Sequence, residues 1–261
     1  MALKITILGS GSAYGVPFIG GEWGNCDPEN PKNRRTCPSI LLENEDTKVL
    51  VDIGPDIRVQ SERHSIGKVD GVILTHAHFD HIGGMGHLPV WTHHYSDSNM
   101  PLYSDRATRR EIEKVWHYLF DPKINVEYTG QGKPYLVELI PYYPLTIGSM
   151  EILPFYQNHG SFRSLGLRVG NFAYCTDVNS FPEESFALLK DLDVFIVDNN
   201  TEFGQDKSHS YVEQNLRWIE ELKPKQHSYF THLDYSIDYN TLSAKLPDHV
   251  SLAYDGLIIN I

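Results

Sequence analysis

Four ligand-type side chains crowd into six residues of this chain: His76, His78, Asp80 and His81, directly after the apolar run Val72-Ile73-Leu74. No other segment narrows the fold as much. Side chains of a strand alternate between faces, so two imidazoles spaced two residues apart reach one point only from extended backbone. The apolar run before them therefore reads as a buried strand that empties into a turn, and Gly83-Gly84 permits the bend. Asp80 and His81, on that turn, can serve a second ion close to the first. Imidazole mixed with carboxylate suits zinc, manganese or iron rather than calcium or magnesium. A histidine-rich surface loop is the plain alternative, and four such residues directly behind a buried strand make it a poor one.

The rest of the sequence supplies more strands of the same kind. Short apolar runs recur between turn signals at Ile5 to Leu8, Ile40 to Leu42, Val49 to Val51 and Val72 to Leu74. They return at Tyr135 to Ile140, Met150 to Leu153, Leu165 to Val169, Phe172 to Cys175, Val194 to Val197, Ser228 to Thr231 and Leu257 to Ile259. Their length and β-branched content predict strands. Helical periodicity predicts a helix from Arg109 to Phe120 and another through Val212, Leu216, Ile219 and Leu222, stopped by Lys223-Pro224. Ser180 ahead of Pro182-Glu183-Glu184 predicts a capped short helix. This order fits an α/β architecture of paired sheets with helices outside, in one domain over residues 1–261. Gly20 to Asn33, rich in Gly, Pro and Asn, reads as a long surface loop.

Three further polar groups stand where an apolar run meets a loop: Asn158-His159, Thr176-Asp177 and Thr231-His232. Active sites collect at such places in layered folds. A lone Asp there is usually a turn former; beside the His76 segment, the three together read as the missing ligands of a metal pair. Ser208-His209-Ser210 reads as the opening of the amphipathic helix, which puts His209 near a positive helix end. That setting lowers imidazole basicity and favours an anionic substrate. Asp52, closing a buried run, either orients a ligand histidine from behind or caps the segment that starts at Pro55-Asp56, and the two readings balance. Gly9-Ser10-Gly11-Ser12-Ala13-Tyr14-Gly15 places Tyr14 where a dinucleotide loop needs its third glycine, so it reads as a tight loop bordering the metals. His87, His93, His94 and His117 read as packing or surface residues. Arg34, Arg35, Arg163 and Arg168 are the basic residues best placed for a phosphate, although a solvated face is the better reading for each.

The pattern His76-x-His78-x-Asp80-His81, with His159, Asp177 and His232 downstream, resembles the metallo-β-lactamase superfamily, from Ile5 to the C-terminus. That resemblance implies a four-layer αβ/βα sandwich. Several segments are similar to its phosphoribosyl cyclic phosphodiesterase branch: Gly9 to Ser12 with Gly15-Val16-Pro17, Asp27-Pro28 to Arg34-Arg35, Val51 to Asp56, Asn158-His159, Ser208-His209 and Ala253-Tyr254-Asp255-Gly256. The resemblance implies one metal on His76, His78 and His159, a second on Asp80, His81 and His232, and Asp177 bridging them. It further implies catalytic roles for His209, as general acid, and for Asp80. The implied enzyme is a metal-dependent phosphoric diester hydrolase using two divalent ions, zinc, manganese or iron, on a small cyclic ribose phosphate or nucleotide-like phosphodiester. The branch often carries a Cys-x-Cys-x-x-Cys cluster for a separate structural zinc. Here Cys26 is followed by Asp27-Pro28 and the next cysteine is Cys37, so the expectation is no structural zinc, which wants four ligands.

Composition trims the alternatives. Lys and Arg number 22 against 34 Asp and Glu, a formal charge of -12, which argues against broad binding to a large nucleic acid. A tRNA 3′-end endonuclease of the same superfamily would need a basic surface or a protruding RNA-binding arm, and no Lys/Arg/Gly-rich insertion is present. A thioester or lactam hydrolase shares the same dimetal site, and a non-catalytic metal-binding protein could keep the fold. A small phosphodiester partner survives the acidity, because two divalent ions carry the positive charge it needs. Three cysteines without a C-x-x-C pair suit a reducing cytosol. The chain has no signal-peptide pattern and no apolar run near the roughly 18 to 20 residues of a membrane span, so the expected location is cytoplasmic. Sequence leaves a homodimer open.

Overall fold

A computed structural model describes residues 2–95, 99–121, 133–204 and 207–261. Two sheets face each other, and both follow one plan. The first runs in the order β14 (Ile258–Asn260), β1 (Lys4–Gly9), β2 (Ser39–Glu43), β3 (Lys48–Val51), β4 (Gly71–Ile73), β5 (Met100–Ser104) and β6 (Pro134–Glu138). Its strands pair antiparallel from β14 to β3 and parallel from β3 to β6. The second runs β13 (Val250–Leu252), β12 (His227–Thr231), β11 (Val194–Asp198), β10 (Phe172–Cys175), β9 (Phe162–Val169), β8 (Met150–His159) and β7 (Leu145–Ile147). Here β13 to β10 pair parallel and β10 to β7 antiparallel.

Alternation sorts each strand's side chains into two cores. Ile5, Ile7, Ile40, Leu42, Val49 and Val51 point between the sheets, where they meet Ile152, Leu165, Leu167, Phe172, Tyr174 and Ile196. Leu41, Leu50, Val72 and Leu102 point outward, under the helices that supply Ile57, Leu88, Trp91 and Ile112. On the other side Ala173, Cys175, Phe195, Val197 and Phe230 lie beneath Leu189, Ile219, Leu222 and Leu242. The result is the expected four-layer αβ/βα sandwich. Strands covered on both faces read as continuous apolar runs, which is why their positions were visible in the sequence.

The helices are α1 (Ile57–Arg63), α2 (Phe79–Ile82), α3 (Leu88–Tyr95), α4 (Arg106–Val115), α5 (His117–Phe120), α6 (Glu183–Ala187), α7 (Val212–Leu222) and α8 (Tyr239–Ser243). Three expectations need correction. The helix placed at Arg109 to Phe120 starts earlier, where the Asp105 side chain accepts from the Thr108 amide, and it breaks at Trp116 (φ -112°, ψ 29°). Ser180 does not cap α6, whose cap residue is Pro182; instead Ser180 bonds Asn158 through backbone and side chain. The helix expected to open at Ser208 opens at Val212, because Tyr211 is extended and bridged to Thr201. Strands β5, β7 and β13 had no clear signal, two of them being three residues long and β5 carrying Pro101. Among the described residues, no helix is long and apolar enough to cross a membrane.

Candidate metal centre

Parallel strands all point their C-terminal ends to one side of a sheet, and the crevice outside those ends is where such folds bind ligands. In this chain β3 delivers Asp52, β4 the His76 segment, β10 Asp177, β11 Asp198 and β12 His232 to that crevice, while β8 ends on His159. Asp52, Asp177 and His232 hold left-handed backbone, with φ of 63°, 54° and 61°. Non-glycine residues there cost of order 1 kcal/mol or more, and they persist where surrounding structure enforces them, typically at functional sites.

Two clusters share one carboxylate. The ligand atoms of His76, His78, His159 and Asp177 all lie within 4.8 Å of one another, and so do those of Asp80, His81, Asp177 and His232. In the first, His159 Nε2 is 3.2 Å from His78 Nδ1 and 3.7 Å from Asp177 Oδ1. In the second, His81 Nε2 is 3.1 Å from Asp80 Oδ2 and from Asp177 Oδ2, with His232 Nε2 3.4 Å from Asp80 Oδ2 and Asp177 Oδ1.

The donor set fits divalent ions on a direct observation: Nε2 of His76 is buried and has no hydrogen-bond partner. Buried polar atoms rarely stay unsatisfied. Burial, then the neighbouring His81, holds His76 well below the usual histidine range, which leaves a neutral imidazole with its lone pair free. Burial opposes charge on Asp80 and Asp177, yet His81 and His232 keep both carboxyls well below the usual carboxylate range. Against burial, the same carboxylates push His81 and His232 up in return, and divalent ions would take the place of those protons, since a ligating imidazole is neutral.

Groups behind the imidazoles fix which nitrogen faces inward. His81 Nδ1 lies 2.7 Å from Asp52 Oδ2, and the Asp52 carboxylate also accepts from the Thr75 amide and hydroxyl at 2.8 Å each. Asp52 thus orients His81 rather than capping α1, whose cap residue is Asp56. His159 Nδ1 donates to the Ser208 carbonyl at 2.8 Å. Carboxylates and carbonyls in this position set the tautomer and raise ligand basicity.

His209 stands between the clusters, its ring stacked on His232 with centroids 4.6 Å apart and 4.7 Å from His159. It lies three residues before the start of α7, so the expected control by a helix dipole gives way to a different one. Its Nδ1 lies 2.9 Å from Oδ2 of the fully buried Asp198, which also accepts from the Ser210 and Val178 amides at 3.2 Å. Sequence reasoning passed over Asp198, although it closes the Val194 to Val197 run as Asp177 closes its own, and the same strand-end rule would have found it.

Of the four arginines considered for a phosphate, with a solvated face the better reading for each, two are hydrogen-bonded to other partners and two are exposed and lie over aromatic rings. Arg35 is buried and bonds Asn33, Asp234 and Ile237 oxygens at 3.1, 3.1 and 2.8 Å. Arg168 donates to the Gly170, Leu188 and Lys190 carbonyls. Arg163 lies over Tyr156 and Arg34 over Trp23, each 4.9 Å from the ring centroid. His87, His93, His94 and His117 are exposed and outside the clusters. The Gly9 to Gly15 loop does border the centre, since the Ser10 carbonyl accepts from Leu233 N at 2.8 Å, one residue after His232. Cys26 is buried against Arg35 and the Tyr235 and Ile237 carbonyls.

The family model described as a beta-lactamase superfamily domain matches residues 47–233, from β3 through His232. The chain belongs to the metallo-β-lactamase superfamily. It is similar to the crystal structure of a diphosphatase from the PhnP family, at 30% identity and a TM-score of 0.89, covering 100% of this chain and 98% of that one. It is 28% identical to an octanoyltransferase of Porphyromonas gingivalis over 98% of this chain and 51% of that protein. A ribonuclease Z of Methanopyrus kandleri is 39% identical over 64 residues, 24% of this chain and 22% of that protein. The chain therefore spans about half the length of the first curated relative it matches.

Proposed function

We propose that this superfamily hydrolase is a dinuclear-metal phosphodiesterase acting on a small cyclic ribose phosphate or nucleotide-like phosphodiester. His76, His78 and His159 would hold one ion, Asp80, His81 and His232 the other, with Asp177 between them. Two divalent ions held there, zinc, manganese or iron, would lower the pKa of a bound water towards neutrality and polarise a phosphoryl oxygen. The chain's own part is orientation and a proton. Asp52 and the Ser208 carbonyl aim His81 and His159 inward, and Asp80, held ionised, fixes its side of the attacking water.

The observation that carries the reading is the His209–Asp198 pair stacked beside the shared-carboxylate clusters. Held through Nδ1 by Asp198, the oriented His209 ring would give a proton to the departing sugar oxygen. The diphosphatase and the ribonuclease Z among its relatives support chemistry at phosphorus. The octanoyltransferase relative favours a second reading, acyl thioester chemistry at the same site. A net charge of -12 speaks against a large nucleic acid.

The test is a substrate panel on metal-loaded protein: a cyclic ribose phosphate, 2′,3′-cyclic nucleotides, an octanoyl thioester, a lactam and a tRNA precursor. Turnover is expected on the first two. His209→Ala should keep its metals and lose about a hundredfold in kcat; unchanged kcat removes the assigned role, and turnover confined to the thioester establishes the second reading instead.

A further inference from the structure

Phe162 has no part in the chemistry above, yet the His78 ring and the strand pairing with His159 hold it in place. It opens β9 directly opposite His159 in the strand register, so the ladder fixes its backbone. Its ring meets the His78 ring at 5.4 Å between centroids, with planes at 78°. Nevertheless 62% of Phe162 is exposed. Single exposed apolar residues are ordinary, but this one is anchored on the centre itself and turns its remaining surface outward beside it.

Leu233, which follows His232, leads into Tyr235, whose ring packs on Phe18 at 5.7 Å, and Phe18 on Tyr14 at 5.0 Å. Tyr14 is 61% exposed. Of the four arginines considered for a phosphate, Arg35 and Arg168 are hydrogen-bonded to other partners, and Arg34 and Arg163 lie over aromatic rings. A bare sugar phosphate is gripped by cations and hydrogen-bond donors. A π face instead suits a planar ring, because every nucleobase can stack on it.

We infer that the substrate of this site carries a nucleobase, and that the base stacks on Phe162, which makes Phe162 a specificity-determining residue. The inference rests on the phosphodiesterase reading, with the ions carrying the phosphate and the aromatic ring carrying the base.

Calorimetric titration of the metal-loaded protein with AMP and with ribose 5-phosphate tests this without requiring turnover. The wild type should bind AMP at least about tenfold more tightly, a difference of about 1.4 kcal/mol. Phe162→Leu keeps an apolar side chain against His78 but removes the π face; it should lose about tenfold in AMP affinity and less than about twofold for ribose 5-phosphate. Phe162→Trp should retain the preference. Equal affinity of the wild type for both ligands overturns the inference, as does an equal loss for both in Phe162→Leu or a preference that survives it. A protein inert to all phosphodiesters would sink the catalytic reading and leave this binding comparison standing on its own.

Discussion

His209 and Asp255 show how single residues take their properties from partners distant in sequence. His209 Nδ1 rests on Asp198, eleven residues before it at the end of β11. Asp198→Asn keeps the shape but removes the acceptor that holds Nδ1 protonated; kcat should fall by about tenfold or more with metal content unchanged, and a wild-type kcat would show that the pair has no catalytic part. Asp255 accepts from Ser10 N and Oγ at 2.9 Å each, and from Thr36 N and Oγ1 at 2.8 and 2.7 Å. Burial outweighs these bonds and pushes its carboxyl from 3.8 up to about 6. The folded chain therefore holds this proton more tightly than the unfolded chain does. The associated stability, about 3 kcal/mol, is complete below about pH 4 and is lost as pH rises to about 6. Unfolding measured in chelator should show the wild type losing ground to Asp255→Ala across that window, and a constant difference would contradict the assignment.

At the scale of elements, the turn that presents Asp80 and His81 depends on close backbone approach. A Cβ on Gly54 would sit 2.0 Å from the Asp80 carbonyl oxygen, and one on Gly84 would sit 2.2 Å from the Gly54 oxygen. Backbone, not a flexible side-chain end, blocks both positions. Gly54→Ala should cost about 1–3 kcal/mol as an overpacking change and weaken metal binding by about tenfold or more in chelator competition; unaltered affinity would mean that the turn adapts. Apolar runs told where the strands lie because both faces of those strands are covered. Element ends were less legible, since remote pairings decide them: Ser180 is taken by Asn158, and the start of α7 is set by the Thr201–Tyr211 bridge.

For the whole molecule, the centre joins the two sheets. The first sheet contributes Asp52, His76, His78, Asp80 and His81, and the second His159, Asp177, Asp198, His209 and His232. Without ions, several buried charges and the orphaned His76 Nε2 face one another across that seam. Ions that bind only the folded state stabilise it by mass action, about 4 kcal/mol at a thousandfold excess over Kd. Chelation should therefore lower Tm by several degrees, re-addition of zinc or manganese should restore it, and His81→Ala should blunt the response. A Tm indifferent to chelator and metal would argue against ions at the seam.

By itself the sequence determined what local rules govern. Residue type and spacing marked the ligand-type side chains, alternation marked the strands, and the burial of both strand faces marked the sandwich. The tertiary structure alone decided which of those side chains share a carboxylate, that Asp198 rather than a helix end governs His209, and that Arg35 and Arg168 are spent on loops. It also decided the left-handed backbone of Asp52, Asp177 and His232. These are outcomes of pairing between segments up to two hundred residues apart. Such pairings reflect competition among partners over the whole fold, and no window of neighbouring residues encodes them.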